Sequence, residues 1–200
     1  MFEGKKILIV GAHPDDIEFG MGATLNQIKD EDVRVVVFCD TVERNTNLIL
    51  NELNQSMKLY NLPFVLIKDI ENMHFTENQQ KIRQRLFDEK ESFKPDIIFC
   101  TSKKSHNPDH KTLGESVLAV FLEQTILFYE VGRGDLEHIA DLYIRVSGDD
   151  ALVKQQAISQ YVTQKKPYAN PSLTQSILAY RGSQCNANLA ESFEVERIVI

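Results

Sequence analysis

Residues 6–16 read KILIVGAHPDD, and the way this stretch is read decides the fold. Residues 6–10 read as a strand in which 7–10 are a continuous run of apolar, largely β-branched side chains, the pattern of a strand covered on both faces. Pro14 disfavours helical backbone at His13, which holds that residue extended and delays the next helix. Met21, Leu25 and Ile28 then recur at helical spacing within residues 17–29. A buried strand, a polar turn and a helix in this order open a βαβ unit. In open α/β sheets, ligands bind beyond the carboxyl ends of the strands. His13, Asp15 and Asp16 therefore stand where such folds build their chemistry.

Working outward, the same rhythm continues along the chain. Strands are predicted at residues 33–39, 64–67, 96–100, 126–131, 141–146 and 193–200, with helices at 48–59, 79–93, 108–124, 152–163 and 173–187. The alternation predicts an α/β fold, a Rossmann-like three-layer sandwich with a mostly parallel sheet and helices on both faces. There is no internal repeat and no linker, so residues 1–200 read as one domain. Gly20-Met21-Gly22-Ala23 resembles a phosphate loop only superficially, because neither GxGxxG nor a P-loop lysine is present.

Composition narrows the function. A hydrophobic fraction of 42% and a charged fraction of 26% are those of an ordinary globular protein. The formal net charge of -7 argues against a nucleic-acid partner, which needs concentrated positive charge. The first residues carry no apolar signal core, and no run reaches bilayer-spanning length, so no membrane insertion and a cytoplasmic location are expected. Cys39, Cys100 and Cys185 form no CxxC pair, which removes a thiolate metal site and a disulfide framework. Cys39 and Cys100 end apolar strands and read as inert buried thiols.

Two clusters carry chemistry. The first is His13-Pro14-Asp15-Asp16, an imidazole and two carboxylates in one turn, a donor set suited to zinc or a related divalent ion. Side chains of adjacent residues diverge, so one aspartate can ligate a metal while the other takes a proton from water. The same composition also suits a plain turn in which Asp15 or Asp16 caps the next helix. The second cluster is His106-Asn107-Pro108-Asp109-His110, after the strand ending at Cys100. Asn107 is a good N-cap and Pro108 suits the first helical position, which puts His110 in the first turn. The helix dipole there favours the neutral, metal-ligating imidazole. Asp109 can accept a hydrogen bond from an imidazole or orient the catalytic carboxylate. Together His13, Asp16 and His110 make three protein ligands with positions left open, a catalytic rather than a structural arrangement.

AHPDDIEFGMGATL, residues 12–25, resembles the signature of the LmbE-like and PIG-L-like deacetylases, and NPDH at 107–110 resembles their second metal motif. Weaker likenesses lie at KQQAISQYVTQ (154–164), RGSQ (181–184) and AESF (190–193). The resemblance implies Zn²⁺, or another divalent ion such as Fe²⁺, on His13, Asp16 and His110, with Asp15 as general base. It implies a hydrolase that releases acetate from N-acetylglucosamine or its conjugates, a small amino-sugar substrate, and self-association as in many relatives. Two departures stand out. Relatives often carry histidine where this chain has Asn107 and Tyr161. Either His106 fills the first gap through a shifted loop, or Asn107 supplies only a hydrogen bond.

Asp15 and Asp109 are thus the catalytic candidates, and His106, Asn107, Arg44 and Arg181 the candidate substrate contacts. Glu52 is a further polar candidate, whereas His74 and His138 match no motif. Competing readings are a metal-dependent amidase or esterase acting on another acyl compound, and a Rossmann-like nucleotide-binding domain without catalysis.

Overall fold

The computed structural model of the chain describes residues 1–38, 46–163 and 170–199. Strand β1 (Lys6–Gly11) alternates its side chains between two cores. Ile7 and Ile9 face one layer and Leu8 and Val10 the other, and all four are fully buried. The run is continuous in sequence because both faces of the strand are covered.

Each neighbouring strand repeats that division. β2 (Asp32–Val37) and β4 (Ile97–Thr101) flank β1 in parallel, with Ile7 opposite Val33 on one side and Ile97 on the other. β3 (Phe64–Leu66) extends the sheet beyond β2, and β5 (Thr125–Tyr129) lies beyond β4. Helices α1 (Asp16–Ile28), α2 (Thr46–Tyr60) and α5 (Gly148–Ser159) supply side chains to the core on the Ile7–Ile9 face. Helices α3 (Gln79–Phe93) and α4 (Pro108–Val120) cover the other face, where Ile82, Leu86 and Leu113 are buried. Helix α6 (Pro171–Gln184) packs outside α5 and against β7 (Ala190–Arg197). The three-layer α/β fold read from the sequence is the fold observed.

The sheet order is β3-β2-β1-β4-β5-β7-β6, with β6 at Leu142–Arg145. Strand order reverses between β1 and β4, and the switch point that accommodates ligands in such sheets lies there. β7 runs antiparallel to both β5 and β6 and is threaded between them.

Several element limits differ from the sequence reading, each for a local reason. α4 stops at Val120 rather than continuing to residue 124, because Phe121 leaves helical backbone (φ -101, ψ 89) and is fully buried. α5 begins earlier, at a capping box in which Ser147 and Asp150 exchange hydrogen bonds. It ends before Tyr161, whose ring belongs to the core. β7 starts at Ala190, ahead of Phe193, because Ala190 pairs with Arg145 of β6.

The glycines of residues 20–23 serve close packing. A side chain at Gly20 would meet the Tyr129 ring at 2.1 Å, and one at Gly22 the Tyr60 hydroxyl at 2.9 Å. Between them α1 breaks at Met21 (φ -146, ψ 23). Beyond the break, the amides of Ala23 and Thr24 donate to Glu191 at 3.1 and 2.7 Å. Glu191 is also paired with buried Lys154 at 2.6 Å, so a strand carboxylate caps the second half of the helix. Among the described residues, no helix is long and apolar enough to cross a membrane.

Candidate metal centre

The turn after β1 and the turn after β4 meet at the switch point. His13 Nδ1 lies 3.3 Å from His110 Nε2, and Asp16 Oδ2 lies 3.4 Å from the first and 3.2 Å from the second. Donors about 2.0–2.2 Å from a tetrahedral zinc are themselves about 3.3 Å apart, so the three atoms form one face of such a tetrahedron. Among the described residues, this is the group of histidine and acidic side chains able to hold an ion.

The surroundings also suit a metal. His13 Nε2 faces Asp109 Oδ2 at 3.0 Å. With the proton on Nε2 donated to that carboxylate, the Nδ1 lone pair points at the centre. Asp109 is itself held by the amides of Met73 (2.6 Å) and Phe75 (3.3 Å). Burial works to raise the Asp109 carboxyl, but the donors from His13 and Met73 prevail and hold it below the ordinary range. Asp16 is likewise pushed up by burial and drawn well down by the His110 and His13 rings. The His110 carbonyl accepts from Thr101 Oγ1 at 3.1 Å, tying its helix turn to the end of β4. His110 Nδ1 is buried without a hydrogen-bond partner among the described residues.

Asp15 occupies the N-cap position of α1 yet makes no side-chain capping bond. Its backbone lies in the left-handed region (φ 95, ψ -27), which non-glycine residues enter at a cost of about 1–3 kcal/mol. It is 3% exposed and lines a cavity of about 410 Å³ together with His13, Asp16 and His110.

The other predicted residues are distributed unevenly. His106 and Asn107 line the same cavity. Asn107 accepts the Asp109 amide at 2.9 Å as the N-cap of α4. His106 is half-exposed, 3.8 Å from Glu137, and its own amide donates to the Gly134 carbonyl at 2.8 Å. Asp109 has no exposed surface and contacts the imidazole rather than the cavity. Arg181 lies elsewhere, doubly bonded to Glu130 at 2.7 and 2.9 Å. Arg44 and Cys39 fall outside the described residues. Glu52 accepts from the Thr163 amide and hydroxyl, away from the centre. Cys100 is fully buried, and burial pushes its thiol up to about 12.

The sequence assigns no role to Asp135 or Glu18, although an acidic residue at the position of Glu18 is ordinary in the family it resembles. Asp135 is buried, accepts the Val131 amide at 2.6 Å, and is raised by that burial within electrostatic reach of His110. Its one sequence signal is a place just past β5, at the sheet edge that carries both ligand turns. Glu18 is raised by burial although Ser56 (2.5 Å) and Tyr161 (2.6 Å) donate to it. Tyr161 therefore supports the floor of α1 and does not face the cavity.

Residues 8–121 match the family model described as PIG-L, GlcNAc-PI de-N-acetylase. The chain belongs to this family. No curated protein matches it by sequence. Among solved structures it is similar to the N,N'-diacetylchitobiose deacetylase of Pyrococcus horikoshii, with a TM-score of 0.80 and 17% identity over 96% of this chain and 84% of the other. It is similar as well to a teicoplanin deacetylase in a zinc-inhibited form, with a TM-score of 0.77 and 13% identity over 94% and 96% of the two chains. A third likeness is to the 4-carboxy-2-hydroxymuconate hydratase of Pseudomonas putida, at 0.79 and 14% over 98% of each chain. At these identities the structures establish the fold, and one fold serves more than one chemistry. PIG-L membership is carried by the sequence.

Proposed function

We propose that the protein is a metal-dependent N-deacetylase that removes the acetyl group from an N-acetylglucosamine-type amino sugar or its conjugate. The observation that carries this reading is the triangle of His13, Asp16 and His110 donors at 3.2–3.4 Å, with Asp15 in the same cavity. Family membership supports the amide as the bond attacked.

His13, Asp16 and His110 would hold zinc or another divalent ion such as Fe²⁺. When bound, such an ion supplies Lewis acidity that acidifies water and polarises an amide carbonyl. Asp15 takes a proton from the attacking water as its oxygen bonds to the carbonyl carbon. The C–N bond then breaks, and Asp15 returns the proton to the departing nitrogen, giving acetate and a free amine. Asp109 acts through His13 as a positioning residue. His106 and Asn107 line the cavity wall, where sugar hydroxyls would meet them.

A second reading, hydration of a conjugated acid by the same base and metal, is favoured by the hydratase likeness. An acetate-release screen with added zinc tests both. The panel contains N-acetylglucosamine, its glycosides, nucleotide-linked forms and unrelated acyl amides and esters, with a conjugated hydroxy-dienoate followed in parallel by its ultraviolet absorbance. Acetate from the amino sugars in preference to the unrelated acyl compounds is the expected result. No acetate from any of them, with loss of ultraviolet absorbance from a conjugated hydroxy-dienoate, would overturn the proposal in favour of hydration.

A further inference from the structure

The two candidate histidine ligands are held unequally on their far sides. His13 turns Nε2 to the Asp109 carboxylate at 3.0 Å. His110 instead directs Nε2 to the centre, 3.3 Å from His13 Nδ1 and 3.2 Å from Asp16 Oδ2. A neutral imidazole that ligates through Nε2 carries its proton on Nδ1. In His110 that atom is buried and has no hydrogen-bond partner among the described residues. Buried donors are rarely left unpaired, and metal-ligating imidazoles almost always donate their second nitrogen to an acceptor.

A carboxylate oxygen with the complementary need lies nearby. Asp135 is buried, the Val131 amide donates to its Oδ2 at 2.6 Å, and its Oδ1 is buried without a partner among the described residues. The chain around it is fastened to the turn that leads into His110. The Gly134 carbonyl accepts from the His106 amide at 2.8 Å and from Ser105 Oγ at 3.2 Å. Glu194 of β7 joins the same two segments, accepting from Ser102 Oγ at 3.0 Å and from the Ile139 amide at 2.9 Å. Burial raises the Asp135 carboxyl, while the Val131 amide, Ser105 and the His110 ring act to lower it, so the ring lies within electrostatic range. Asp109 is already engaged by His13 and by the amides of Met73 and Phe75.

We propose that Asp135 is the positioning residue of His110, its Oδ1 accepting the Nδ1 proton as Asp109 accepts that of His13. The proposal rests on reading His110 as a metal ligand. One carboxylate then has two tasks. Oδ2 fixes the loop whose Val131, Gly132 and Gly134 wall the cavity, and Oδ1 fixes the orientation of the ligand ring. The wall of the cavity and the metal centre are thereby tied through a single side chain.

The test uses the full chain, labelled with ¹⁵N-histidine and loaded with zinc; only five histidines contribute signals. The His110 Nδ1 proton should appear as a downfield, slowly exchanging resonance, identified by its disappearance in H110Q. D135A should lose that resonance and bind zinc about 10- to 100-fold more weakly in competition with a chelator. D135N, with one acceptor oxygen in place of two, should fall between D135A and the parent protein. Thermal unfolding without zinc shows which variants are folded, and D135N carries the test if D135A is not. A folded variant that keeps both the zinc affinity and the His110 resonance would overturn the proposal, leaving Asp135 as a support for Val131 alone. So would weaker zinc binding with that resonance unmoved. The expected zinc affinities and resonance, with no acetate released from any substrate, would keep this role for Asp135 and overturn the deacetylase reading instead. Parent protein that takes up no zinc would overturn both.

Discussion

The turn after β1 brings an imidazole and two carboxylates to the switch point and the turn after β4 an imidazole and one carboxylate, and they start their helices in different ways. At Asn107 the cap is conventional: extended backbone, a side chain accepting the Asp109 amide, and Pro108 in the first turn. At Asp15 the backbone is left-handed and the carboxylate caps nothing. The next residue compensates in part, since Asp16 reaches back to accept the His13 amide at 2.8 Å. The second turn is thus built for stability, with its candidate ligand His110 as a passenger. The first gives up a cap and accepts strain, which places Asp15 in the cavity beside the candidate metal ligands. Strain of this kind persists only where surrounding structure imposes it. Here the buried β1 strand and the packed helix α1 do so.

The contrast can be broken at several points. The largest effect is expected at the first turn: Asp15→Ala should lower turnover by about 10³-fold while leaving most of the metal bound. Asp16→Ala and His110→Ala should lose the metal together with activity. Metal content by atomic emission, measured beside acetate release, separates the two outcomes, and equal metal loss in all three variants would show the division of labour to be wrong. Asp109→Asn should weaken metal affinity by about 10- to 100-fold, because the His13 ring then faces a neutral amide in place of a charged carboxylate acceptor. Competition with a chelator reads that change directly.

Stability tests sharpen the same comparison on a smaller scale. Asn107→Ala should cost about 1 kcal/mol in denaturant unfolding, and Asn107→Gly only a few tenths. At Asp15 the order is the same but its cause is backbone conformation rather than a lost cap. Asp15→Gly should be more stable than Asp15→Ala by about 1 kcal/mol, since glycine enters the left-handed region freely. Equal stabilities for those two variants would mean that the turn is not strained in solution.

Much of the site was legible because it is written in short-range signals. The proline after His13, the two aspartates, the cap at Asn107 and the buried runs before each turn are all local in sequence. The same holds for Gln79–Phe93, whose limits coincide with its helical pattern. Less legible was the far side of the sheet. Nothing around residues 190–197 signals that the strand will run backwards between β5 and β6, because antiparallel and parallel strands of this burial carry similar side chains. The helix limits at Val120 and Ser159 were missed for a related reason. Phe121 and Tyr161 fit a helical pattern, but packing into the core outweighed propensity.

From residue order alone came the α/β layering and two metal-suited turns, since hydrophobic period, proline and capping chemistry act over a few residues. Folding settled the rest: that His13 and Asp109, 96 positions apart, share a hydrogen bond; that Asp15 turns left-handed; and that Glu191 closes the break in α1. Those outcomes depend on distances between segments remote in the chain, and no local pattern encodes such distances until the strands have paired.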